Sequence, residues 1–312
     1  MIRYTHIKKY PKGSIQIMRK ILSVSFVASM LLLSSCVTDE QSSISQLRIG
    51  LAIDDNNPNA SVTNENFRLS LQEHIGMPVT IIEDVTYLVA IEAMRAGNLD
   101  IMMASAFNYV MARDVVDVEL LASIQLAGEG NNTSFITRAD NPNIHSLEDL
   151  QGTSFAFVDA ASTSGALFPK YELINMFDIN PNLIMHSGHF FRTAVYSGSH
   201  NASIMGVYFG DFDAAAVATL VINNMENAGA ITQDSIRIIA YTDDFPDPTY
   251  IARSAIGEDL IASLQEFFLT YDNSDFFYNA WNNPYLRFTP PNQDAFDGVV
   301  SLANTLGLNF GG

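Results

Sequence analysis

The stretch Phe155-Ala156-Phe157-Val158-Asp159-Ala160-Ala161-Ser162-Thr163-Ser164-Gly165-Ala166-Leu167-Phe168-Pro169 changes character at its centre. Its first four residues are apolar and read as a buried strand. A turn of small residues follows, and helix signals begin at Ser162, because Ser and Thr oxygens accept the unpaired N–H groups of a first helical turn. A strand feeding a helix through a short loop is the unit of an α/β sheet. The same turn gathers free backbone N–H groups at the positive end of a helix dipole, which makes a ready anion site. Three hydroxyls add donors, and Gly165 lets backbone and ligand approach closely. On these residues alone the ordinary alternative, a helix merely capped by Ser-Thr, stays open.

Working outward, the same alternation recurs. Residues 47–53 read as a strand ending in the turn Asp54-Asp55-Asn56-Asn57-Pro58. Residues 62–75 read as a helix, with Phe67, Leu71 and Ile75 spaced by four. Strands are expected at 79–82, 99–103 and 118–126, and helices at 87–96 and 106–112. A second series has strands at 134–137, 153–158, 213–217 and 236–240, with helices at 146–150, 164–177 and 199–209. The tail carries helices near 257–270, 274–281 and 292–306. Strands alternating with helices imply parallel sheets covered on both faces, and two series suggest two α/β lobes. Ligands of open α/β sheets bind outside the carboxyl ends of strands, here after Ile53, Met103, Val158 and Val217.

Composition narrows the function. The first 35 residues hold six basic residues and no acidic one, so the rest carries ten basic against 34 acidic residues, a net of -24. Among those ten, Lys170 is the one lysine. Nucleic-acid binding needs a basic face for phosphate contacts, and none is visible. An enzyme would draw on a serine, His200 and Asp213, yet the chain has no Gly-x-Ser-x-Gly elbow, and no catalytic residue is expected. His186, His189 and His200 lack a supporting carboxylate or cysteine set, so neither a metal nor a cofactor is expected.

The N-terminal region reads as targeting sequence. Met18-Arg19-Lys20 precedes an apolar run, 21–33, that is too short for a comfortable membrane span of ~20 residues and suits a signal peptide. Met18 is the expected true start, with residues 1–35 removed. The run ends Leu33-Ser34-Ser35-Cys36, which resembles a bacterial lipobox, and Cys36 is the sole cysteine of the chain. Lipidation at Cys36 would anchor the protein to the cell envelope through acyl chains. Residues 36–46, polar and serine-rich, read as the tether.

A second segment, Tyr196-Ser197-Gly198-Ser199-His200-Asn201-Ala202-Ser203, runs on to Gly210-Asp211-Phe212-Asp213-Ala214-Ala215. Taken with the Ser-Thr-Ser-Gly turn, it resembles the phosphonate-, phosphite- and phosphate-binding proteins of ABC importers, from roughly Leu47 to the C-terminus. That resemblance implies a type II periplasmic-binding-protein fold, two βαβ lobes joined by a two-strand hinge. The lobes are expected at 47–137 with 241–312, and at 138–240. It implies a small phosphorus oxyanion held by Ser162, Thr163 and Ser164, with His200 beside them. A family tyrosine matches Tyr87, ahead of Met94-Arg95, and a family aspartate matches Asp247 in Phe245-Pro246-Asp247-Pro248. It further implies an ABC permease and its ATPase as partners of a monomeric, extracytoplasmic protein. Two departures stand out. Met103-Ala104-Ser105-Ala106 replaces the aromatic and Gly-Pro residues usual in the family. Leu220 stands where members that bind aminoalkylphosphonates carry an acid, which favours phosphate, phosphite or a small alkylphosphonate. A sensor module that docks on a receptor, or a binder of another small anion, is the alternative from sequence.

Overall fold

The computed structural model describes residues 44–51, 60–83, 86–126, 131–281 and 283–308. The expected signal peptide, Cys36, most of the tether and the 54–58 turn lie outside these residues.

The first half builds β1 (Leu47–Gly50), α1 (Ala60–Ile75), β2 (Val79–Ile82), α2 (Tyr87–Arg95), β3 (Ile101–Ala104), α3 (Ala106–Val115) and β4 (Val118–Ile124). The second series follows as β5 (Thr133–Arg138), β6 (Ser154–Phe157), a π-helical turn (Thr163–Leu167) running into α4 (Phe168–Phe177), β7 (Thr193–Tyr196), α5 (His200–Phe209), β8 (Ala214–Ala218), α6 (Thr219–Asn227) and β9 (Ile236–Tyr241). The chain then adds β10 (Thr249–Arg253), α7 (Glu258–Thr270), α8 (Ser274–Trp281), β11 (Phe288–Thr289) and α9 (Asp297–Thr305).

These strands form two sheets, ordered β11-β4-β10-β3-β1-β2 and β7-β6-β8-β5-β9. Neither is wholly parallel, against the sequence expectation. β1 pairs in parallel with β2 and β3, as β6 does with β7 and β8. The strands that arrive from the other sheet run the opposite way: β10 is antiparallel to β3 and β4, and β5 to β8 and β9. A strand entering from outside the βαβ series is free of the crossover rule that forces parallel pairing.

The chain therefore passes from the first sheet to the second between the end of β4 at Ile124 and the start of β5 at Thr133, and returns between Tyr241 and Thr249. This moves the first crossing from the expected 137–138 boundary. β5 lies wholly in the second sheet, with Thr133 opposite Ala218. The crossings run side by side and are hydrogen-bonded: Phe245 N–H donates to Asn131 O at 2.9 Å, and Ile124 N–H to Pro248 O at 3.0 Å.

Each sheet buries both faces. Phe67, Leu71, Phe268 and Phe277 cover one side of the first, and Met94, Phe107, Val110 and Val299 the other. In the second, Phe135, Phe155, Phe191 and Leu173 oppose Ile136, Val158, Ile204 and Val217. Buried strands flanked by helices on both faces explain the near-continuous apolar runs of β6 and β8. Asp100, fully buried just before β3, accepts from the backbone N–H and side chain of Arg48 and, at 2.5 Å, from Arg253 Nη2, tying β1 to β10.

Candidate functional site

The carboxyl ends of β3, β6 and β8 supply the chemistry. After β6, Ser162 is the N-cap, its Oγ accepting from Gly165 N–H at 2.9 Å. Its hydroxyl oxygen is thus engaged within its own helix. Gly165 is required by packing: an added Cβ would lie 2.3 Å from Val158 Cβ and Cγ2.

Thr163 reaches across to the other sheet. Its Oγ1 accepts from Phe107 N–H at 2.8 Å and donates to Ser105 Oγ at 2.8 Å. Ser105 Oγ donates to Asn108 Oδ1, and Asn108 Nδ2 donates to Ala161 O at 2.7 Å. These bonds link the start of α3 to the turn before α4, so the first turns of two helices from different sheets meet. Positive dipole ends and N–H donors converge there. Ser105 and Asn108 are the residues that sequence reasoning missed. They lie in the stretch noted only as a departure around Ala104, although a serine followed three residues later by an amide, after a strand, is a helix-start signal.

Ser164 meets His200. Its Oγ lies 3.4 Å from His200 Nε2, while its carbonyl accepts from Thr133 Oγ1 at 2.7 Å. Ala218 N–H donates to His200 Nδ1 at 3.1 Å, which leaves that nitrogen bare and places the ring proton on Nε2, facing Ser164. Burial pushes the imidazole down to about 4, so His200 is a neutral donor across the physiological range.

Tyr87 opens α2. Burial, and then the negative charge of Asp159, raise its phenol above the ordinary tyrosine value, so it too stays a donor. Asp159 acts likewise on Tyr196. Asp247 sits on the second crossing, where its Oδ1 accepts from Leu126 N–H at 3.3 Å. Burial raises its carboxyl, the Leu126 hydrogen bond lowers it, and Asp244 raises it, with a net upward shift. The structure thus brings Ser162, Thr163, Ser164 and His200 together. Among the described residues no hydrogen bond joins Tyr87 or Asp247 to that group.

Residues 51–295 match the family model of the ABC transporter, phosphonate, periplasmic substrate-binding protein. The chain belongs to this family. It is 26% identical over 208 residues to the phosphate-import protein PhnD of Mycolicibacterium smegmatis, a match over 64% of this chain and 63% of that protein, just under two thirds of its length. It is 25% identical over 261 residues to the probable ABC transporter phosphite binding protein PhnD1 of Prochlorococcus marinus, over 80% of this chain and 86% of that one. The solved structure of Prochlorococcus PhnD1 in complex with methylphosphonate superposes with a TM-score of 0.71 at 22% identity, covering 85% of this chain and 99% of that one. The sheet order and this likeness make the fold that of type II periplasmic binding proteins. Among the described residues, no helix is long and apolar enough to cross a membrane.

Proposed function

We propose that this protein captures a small phosphorus oxyanion, phosphate, phosphite or a small phosphonate, between two lobes that close about the paired crossings. The observation that carries this reading is the meeting of two helix starts through Thr163, with the Nε2–H of neutral His200 on Ser164. Ser162, Thr163 and Ser164 with the 163–177 helix start supply the anion's donors, and Tyr87 and His200 add theirs. Asp247, raised by burial, accepts the proton of a protonated oxyanion. The protein delivers its ligand to an ABC permease and its ATPase, without chemical change, as a monomer anchored through lipidated Cys36 on the extracytoplasmic face.

Calorimetry with phosphate, phosphite, methylphosphonate, aminoethylphosphonate, sulfate and an alkylsulfonate tests the ligand class. One of the phosphorus compounds should bind more tightly than both sulfur anions, and aminoethylphosphonate no better than methylphosphonate, because Leu220 offers its ammonium no carboxylate. A sulfur anion ranking first would overturn the reading. Membrane partitioning of wild type against Cys36→Ala tests the anchor, and equal partitioning would reject it.

A further inference from the structure

Bonds that run from protein to protein join the two sheets beside the site. Phe107 N–H donates to Thr163 Oγ1, Thr163 Oγ1 to Ser105 Oγ, Ser105 Oγ to Asn108 Oδ1, and Asn108 Nδ2 to Ala161 O. All but the Ser105–Asn108 bond cross between α3 and the turn before α4. Asn108 is 0% exposed, so water does not compete for its bonds, and each bond in such a chain polarises the next. Apolar packing follows the same path. Leu167 belongs to the turn after β6 of the second sheet, yet it is 2% exposed within the first sheet's cluster, the one that holds Met102, Phe107 and Val110. Phe168 packs against the same cluster, and its ring centroid lies 5.0 Å from that of Phe245 on the second crossing. Leu306, just past α9, packs against clusters of both sheets.

Parting the two sheets at this point would strand the Ala161 carbonyl and the Asn108 amide and bring Leu167 into water. Those costs are the same whichever oxyanion is bound. They also outlast a change at Thr163: if its proton turns to a ligand, the Asn108–Ala161 bond and the packing of Leu167 stay as they are. The Asn108 amide is engaged on both sides, by Ser105 and by Ala161, so its part is to position the Ser162–Ser164 turn. We infer that Asn108 and Leu167 are a latch that holds the lobes closed through direct contacts, setting affinity for every ligand alike without choosing among them. The inference rests on the proposed closure of two lobes about the crossings. Apparent affinity scales with the fraction of molecules in the binding-competent form. A latch raises that fraction before a ligand arrives, so binding has less ordering to offset. Neutral bonds and apolar packing also leave the latch insensitive to salt.

The test is small-angle X-ray scattering of the purified protein without ligand, joined to calorimetry with phosphite, phosphate and methylphosphonate, on wild type, Asn108→Ala and Leu167→Ala. Wild type should be as compact as this structure before any anion is added, and each variant should be larger until one is. Affinity for the three anions should fall by one common factor of about 10, the result of lowering the closed fraction from about 90% to about 10%. A common factor marks positioning, because a lost ligand contact would weigh differently on anions that present different oxygens. Leu167→Val removes one buried carbon and keeps the core, so it checks the latch if either larger substitution fails to fold. Its dimensions without ligand should move in the same direction by less. The inference fails if variants and wild type have the same dimensions without ligand, or if the three affinities change by unequal factors. Wild type that binds none of the three anions would count against the oxyanion reading alone, and the scattering comparison would still decide the latch.

Discussion

Replacing Thr163 separates its two contributions, a hydroxyl and a methyl. The side chain is 1% exposed, and its Oγ1 makes two hydrogen bonds of 2.8 Å, one accepted from Phe107 N–H and one donated to Ser105 Oγ. Thr163→Val keeps the shape and removes the oxygen. At a net ~0.5–1.5 kcal/mol per hydrogen bond, the loss is about 1–3 kcal/mol of stability. Thr163→Ser keeps the oxygen and removes one buried carbon, which costs about 0.8 kcal/mol. The single O–H proton of Thr163, given to Ser105 Oγ in this structure, would turn to the ligand on binding; a hydrogen bond to a charged ligand is worth ~1.5–3 kcal/mol and the one given up ~1 kcal/mol, so Thr163→Val should weaken oxyanion binding about 2- to 30-fold. Thr163→Ser should stay within a few-fold of wild type. Urea unfolding reads the first pair of numbers, and calorimetry with the tightest phosphorus ligand reads the second. Full affinity in Thr163→Val, or equal losses in Val and Ser, would show that the hydroxyl is not a ligand and that the turn is only a cap.

Other positions give independent checks. Gly165→Ala places a Cβ 2.3 Å from Val158 Cβ and should cost about 1–3 kcal/mol by overpacking. Val158→Ala cannot rescue it, because the Cβ stays; an unchanged urea midpoint in Gly165→Ala would contradict the packing. His200 is bare in the fold down to about pH 4, whereas its unfolded value is 6.5. The unfolded chain binds the extra proton in that window, so stability falls as pH drops from 6.5 towards 4, by up to about 3 kcal/mol. His200→Gln should lack this component, and parallel pH curves for the two proteins would refute it. Asp100→Asn leaves the guanidinium groups of Arg48 and Arg253 uncompensated at a fully buried position. It should cost about 3–5 kcal/mol, and a loss below ~1 kcal/mol in urea would disprove a structural role for the triad.

Local sequence carried the elements whose signals are local. β2 falls on 79–82 as expected, and α1 extends the expected 62–75 helix by two residues at its start. The helices at 258–270 and 274–281 also stand where apolar spacing put them. β10 was missed because Thr249-Tyr250-Ile251-Ala252-Arg253 is short and follows a Pro-Asp-Pro loop, yet it is buried between β3 and β4. β7 was missed as well, because a four-residue edge strand with one buried position has little periodicity to show. The Asn-rich α6 lacks a side-chain cap, so neither propensity nor a start signal marked it. At the site, the Ser-Thr-Ser-Gly turn and His200 were legible as helix starts. What sequence could not supply was their partner. The bonds from Thr163 and Ala161 to 105–108 span more than fifty residues, and no local pattern encodes such a contact.

The donors proposed for the anion are all uncharged, which bears on how so acidic a chain could hold it. Ser164 and Thr163 are hydroxyls, His200 is neutral, and Tyr87 keeps its proton because burial and Asp159 oppose its ionisation. A lysine or arginine would attract any anion through a field that salt screens. Neutral donors act over one bond length, so they discriminate by the position and protonation of the ligand's oxygens. Asp247 would sharpen that choice in its proposed place beside the ligand. A carboxylate repels a fully ionised oxyanion, but accepts a hydrogen bond from a protonated one. Phosphate-type groups lose their second proton near pH ~6, whereas sulfate and sulfonates carry none to give at neutral pH. If Asp247 faces the ligand, binding weakens as pH rises well above that value, because the donor proton is lost, and Asp247→Asn flattens the dependence because an amide can donate where the carboxylate could only accept. Affinity that holds steady from pH 6 to 9 in wild type would place Asp247 outside the site and leave its raised carboxyl as a feature of the crossing alone.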